Sequence, residues 1–104
     1  MRIDVVGRNI EVTQAIREFA ESKVQKVIKF NDMIKAIVVT VVKDDHHAHG
    51  TFGVELRVDV EHRESFVSNA HANDLYAAID DAVHKGVRQL HEDKERRKPG
   101  PHRG

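Results

Sequence analysis

Between Phe52 and Glu61 apolar and polar side chains alternate without a break. Phe52, Val54, Leu56, Val58 and Val60 point one way, and Gly53, Glu55, Arg57, Asp59 and Glu61 the other. Only an extended strand has a side-chain period of two, so this stretch is a strand with one face on a core and one in water. A second stretch, Ile34–Lys43 (IKAIVVTVVK), is the most β-prone of the chain and is apolar on both faces. That composition predicts an interior strand. Together they require a sheet with one wet side, and something apolar must cover the other side.

Two amphipathic segments supply the cover. Ile16, Phe19, Ala20, Val24, Val27 and Ile28 recur at helical steps, which predicts a helix over about residues 14–29 with Thr13 as its N-cap. Leu75, Ile79, Ala82, Val83, Val87 and Leu90 do the same after a cap at Asn73 or Asp74. This last helix is expected to fade after Leu90, with Pro99 and Pro101 forbidding its continuation. Gly86 stands inside it, where close approach of another backbone would account for it. Arg2–Gly7 alternates as a short strand, and Ser65–Ala70 returns as another after a turn. The order is β-α-β-β-β-α. The expected architecture is α+β, a two-layer domain with a four-stranded mixed sheet and both helices on one face. Its first crossover is parallel and right-handed.

The 104 residues suit a single domain, with a core sufficient to fold without disulfides or metal. Absence of cysteine excludes a disulfide framework and a thiol nucleophile, and fits a reducing compartment. Neither a membrane span nor a signal peptide is visible, so a cytoplasmic protein is expected. Residues 1–95 read as the folded domain and 96–104 as a short, basic, flexible tail.

The chain is neutral overall, yet its charge is unevenly placed. Residues 1–84 carry 10 Lys+Arg against 14 Asp+Glu, whereas residues 85–104 carry 7 against 3. Such asymmetry suits either a nucleic-acid partner or a solvated helix end. Lys23 and Lys26 stand one turn apart, as do Lys85 and Arg88. With the helices side by side, these cations would join in one ridge able to receive RNA phosphates. Alternatively, Asp81 pairs with Lys85 and Glu92 with Arg88 along the helix. With four Phe and one Tyr, base stacking on single strands is disfavoured, and phosphate and shape contacts to structured RNA are preferred.

Other chemistry is weaker. His46, His47 and His49 beside Asp44 and Asp45 are metal-ligating types, but a loop gives them no fixed surroundings, and no metal or cofactor is expected. No nucleophile elbow, P-loop or dinucleotide fingerprint appears, so an enzyme with a small-molecule substrate is not expected. The rival to RNA binding is a protein–protein module using the sheet face of Glu55, Arg57, Asp59 and Glu61.

Gly7-x-Asn9, Thr13, Arg17-Glu18-Phe19 and Lys23, with Tyr76-Ala77-Ala78-Ile79-Asp80, Lys85 and Arg88-Gln89-Leu90, resemble the ribosome hibernation-promoting factor family, also called ribosome-associated inhibitor A or protein Y. The resemblance extends over about residues 1–98 and implies the same β-α-β-β-β-α domain. It also implies a factor that sits in the decoding channel of the small ribosomal subunit, blocks messenger and transfer RNA and stabilises inactive ribosomes. Lys23, Lys26, Lys85, Arg88 and Gln89 match positions where such proteins face ribosomal RNA. Family members often carry more lysines after the Arg-Gln-Leu. Here Glu92, Asp93 and Glu95 interrupt that run, which moves the expected tail contacts to Arg96, Arg97 and Lys98. No second domain of the long members is present, so a short form, or the N-terminal domain of a longer one, is expected. Off the ribosome a monomer is expected.

Overall fold

The computed structural model describes residues 1–45 and 51–97. Its elements run β1 (Arg2–Arg8), α1 (Gln14–Phe30), β2 (Ile34–Lys43), β3 (Phe52–Val60), β4 (Phe66–Ala72) and α2 (Leu75–Arg97). The strands lie in the order β1-β2-β3-β4, with β1 parallel to β2 and the other pairs antiparallel. The mixed four-stranded sheet, the interior place of β2 and the β2-β3-β4 meander therefore stand as expected.

Local chemistry starts both helices. Thr13, in extended backbone, accepts the Ile16 N–H on its hydroxyl at 3.2 Å. Asp74 does the same for α2, its carboxylate accepting the Tyr76 N–H at 3.2 Å. One sheet face carries Ile37, Val39 and Val41 from β2 and Val54, Leu56, Val58 and Val60 from β3, all buried. Val24 and Val27 of α1 and Ile79 and Val83 of α2 belong to the same buried cluster. Both helices thus cover one face. The chain reverses between β2 and β3 and again between β3 and β4, so β4 runs with β1 and β2. Each helix follows one of these co-directional strands and returns against it, which makes α1 and α2 parallel neighbours.

Gly86 meets a side chain rather than a backbone. A Cβ there would come within 2.6 Å of Leu56 Cδ2 and 3.4 Å of Ser68 Oγ. The missing side chain lets α2 settle onto β3 and β4, and the Ser68 hydroxyl donates to the Ala82 carbonyl at 2.8 Å.

The expected fade of the last helix after Leu90 does not occur: α2 continues to Arg97. Three contacts hold its last turns. His91 packs edge-to-face on Phe30 of α1, with centroids 5.6 Å apart. Lys94 lies over the same ring at 5.8 Å. Asp93 is buried and takes guanidinium partners from Arg63, Arg96 and Arg97. Arg96 and Arg97, expected in a flexible tail, therefore stand on the helix. Pro99 and Pro101 lie outside the described residues.

Candidate nucleic-acid interface

The two helices are joined along their outer seam. Near their starts, Phe19 and Tyr76 meet edge-to-face at 4.7 Å. One turn on, Lys23 Nζ lies 3.3 Å from Asp80 Oδ1 and 5.3 Å above the Phe19 ring. Near their ends, Phe30 meets His91. These three contacts fix the register between the helices. The outer surface they share is therefore rigid, as a phosphate-binding face needs.

The cations on that surface do not form one unbroken ridge. Lys23 is engaged by Asp80 across the seam. Lys85 and Gln89 turn to the opposite flank of α2, over the exposed edge of β4. There Lys85 Nζ donates to the Asn69 carbonyl at 2.9 Å and Gln89 Nε2 to the Val67 carbonyl at 3.0 Å. Unpaired carbonyls on an edge strand invite another strand, and two capping side chains one turn apart close that edge. The alternative Asp81–Lys85 and Glu92–Arg88 pairs are not formed. Lys26 and Arg88 are exposed, and neither has an ion-pair partner among the described residues. Of Lys23, Lys26, Lys85 and Arg88, these two are the ones not engaged within the fold.

Arg96 and Arg97 gather on Asp93 at the end of α2, where they are joined by Arg63 from the β3–β4 turn. Sequence periodicity gave no signal for Arg63, because it lies in a turn far from α2 in the chain. Lys98 and the triad His46, His47 and His49 lie outside the described residues.

The opposite sheet face carries Glu55, Arg57, Asp59 and Glu61. The one cation of these four is already engaged: Arg57 Nε donates to Asp59 Oδ1 at 3.1 Å and Nη2 to Ser65 Oγ at 3.2 Å. The Ser65 hydroxyl in turn donates to Asp59. That bond first, and then the Arg57 bond, hold the Asp59 carboxyl below its ordinary value. No described helix is long and apolar enough to cross a membrane.

Comparison with known proteins agrees with this geometry. A ribosome hibernation promoting factor of Escherichia coli K12 is 34% identical over 98 residues, covering 90% of this chain and 96% of that one. One from Azotobacter vinelandii is 31% identical, covering 92% and 85%. The ribosome hibernation promotion factor of Deinococcus radiodurans is 36% identical over 91 residues, and this chain spans 47% of its length. Among solved structures, the N-terminal domain of Thermus thermophilus protein Y superposes with a TM-score of 0.75 at 28% identity, covering 89% of this chain and 99% of that one. A ribosomal subunit interface protein from Coxiella burnetii shares the fold, with a TM-score of 0.77, 22% identity and coverage of 91% and 99%. The family described as sigma 54 modulation protein / S30EA ribosomal protein matches residues 3–98, and this chain belongs to it.

Proposed function

We propose that this protein is a ribosome hibernation factor that binds the small ribosomal subunit. It occupies the decoding channel, excludes messenger and transfer RNA, and keeps idle ribosomes intact. Family membership and relatives named as hibernation promoting factors support the ribosome as partner. The observation that carries the reading is the locked pair of parallel helices. It leaves Lys26 on one helix and Arg88 on the other, both exposed and without an ion-pair partner among the described residues.

The action is steric and electrostatic. Cations on the helices replace counterions of ribosomal RNA phosphates, and release of those counterions drives binding. The folded body then fills space that messenger and transfer RNA need. No bond is made or broken, and no cofactor takes part. The protein acts as a monomer in the cytoplasm, when growth stops or stress idles the ribosomes.

Co-sedimentation with purified small subunits tests this. The wild type is expected in the subunit fraction, displaced by messenger and transfer RNA together. Charge reversal at Lys26 and Arg88 is expected to weaken binding by tenfold or more. Undiminished binding of that double variant would remove the helix face from the proposal. Undiminished binding in the presence of both RNAs would remove the decoding channel.

A further inference from the structure

Asp93 is the one buried carboxylate among the described residues, its side chain 7% exposed, and it stands on the penultimate turn of α2. Three guanidinium groups converge on it. Arg63 donates from the β3–β4 turn to Oδ1, Arg97 Nε donates to Oδ2 at 3.0 Å, and Arg96 Nη2 lies 3.6 Å from Oδ1. One carboxylate cannot neutralise three guanidinium ions. Exposed Glu64, on the same turn as Arg63, is a second carboxylate beside the cluster. Each guanidinium carries five N–H donors in a planar fork, and the contacts to Asp93 use one of them on Arg63 and one on Arg97.

The arginines remain reachable from solvent, with side chains 32%, 68% and 45% exposed for Arg63, Arg96 and Arg97. A groove of about 450 Å³ opens beside Arg63 and Arg96, lined also by Ser65, Gln89, Glu64 and Asp93. A buried carboxylate that fixes several half-exposed arginines prepares a site for a second anion. The guanidinium groups are held in place before the ligand arrives, so little side-chain entropy is lost on binding.

We propose that Arg63 and Arg96, supported by Arg97 and positioned by Asp93, bind a phosphodiester of an RNA backbone. The assignment rests on the ribosomal reading above and adds a contact point from the β3–β4 turn to the helix face. A fork-shaped donor matches a non-bridging pair of phosphate oxygens.

Two measurements separate this site from the reading it rests on. In the first, the arginine Nε–Hε signals of the labelled protein are followed by NMR while a short RNA duplex, or inorganic phosphate, is added. RNA is expected to shift the Arg63 and Arg96 signals at concentrations where phosphate does not. Equal response to both would reduce the site to a general anion trap and overturn the RNA assignment, as would no response to RNA. In the second, small-subunit affinity is measured against salt for wild type, Arg63→Lys and the double variant Arg63→Gln/Arg96→Gln, with the fold of each checked by circular dichroism. The double variant is expected to lose about tenfold in affinity and to flatten the salt dependence by about one to two charges. Arg63→Lys, which keeps charge without the fork, is expected between the two. Unchanged affinity and slope in the double variant would overturn the proposal while leaving subunit binding itself intact. Arginine shifts with RNA, but no wild-type binding to subunits, would sink the ribosomal reading and leave the phosphate site standing.

Discussion

Lys23 of α1 and Asp80 of α2 form an ion pair of 3.3 Å across the seam between two parallel helices. The lysine, over the Phe19 ring as well, is thus held by its own fold as well as being offered to a ligand. The pair is partly open to water, so its coupling in a double-mutant cycle is expected at about 0.2–1 kcal/mol, shrinking with salt. Asp80→Asn releases Lys23 and removes an acid from the helix face. Its small-subunit affinity is expected to rise a few-fold, and a drop in affinity would show that the pair itself orders the binding surface.

Gly86 is needed for space. Replacing it with alanine gains about 1 kcal/mol of helix propensity. The new methyl, however, would lie within 2.6 Å of Leu56 Cδ2, and Leu56 is fully buried and cannot swing away. Gly86→Ala is expected to destabilise the fold by about 1–2 kcal/mol in denaturant unfolding. Combining it with Leu56→Val is expected to cost less than the sum of the two single changes.

Lys85 and Gln89 cap the β4 edge. Both are at the surface, so replacing both by alanine is expected to cost less than about 2 kcal/mol. Its larger effect should be self-association, because the Val67 and Asn69 carbonyls become free to pair with another strand. Light scattering over a range of concentrations checks this. A strictly monomeric double variant would show that the edge is protected by other means.

Asp93 controls how far α2 extends. Asp93→Ala leaves Arg63, Arg96 and Arg97 without their shared carboxylate, and these groups can turn to water. The expected loss is therefore about 1–2 kcal/mol, below that of a fully buried pair. Circular dichroism is expected to lose helix from the turns after Leu90, and hydrogen exchange should locate the loss there.

Asp59 sets part of the acid response. Its folded pKa is depressed below the ordinary 3.8 by Ser65 and then Arg57. A depressed carboxyl contributes stability that is fully present above the unfolded value and is lost as pH falls through the folded one. Ser65→Ala is expected to lower stability at neutral pH slightly and to leave a shallower decline below pH 3.8. An unchanged decline would assign acid unfolding to other carboxylates.

Residue order was informative wherever a feature depends on one element's own backbone. Strict alternation over Phe52–Glu61 and three- and four-residue spacing in α1 and α2 record periods of two and 3.6, which are properties of the strand and helix themselves. Thr13 and Asp74 cap their helices through atoms two or three residues away, so they too were legible. The order of elements and the single wet face follow from these patterns. Long-range assembly settled the remainder. Lys23 faces Asp80, Lys85 and Gln89 reach β4, and Arg63 meets Asp93 because packing set the register of α2 against α1 and against the sheet. A local pattern tells which face of a helix is dry. It cannot tell which of several surface cations will find a carbonyl or a carboxylate brought in from another part of the chain.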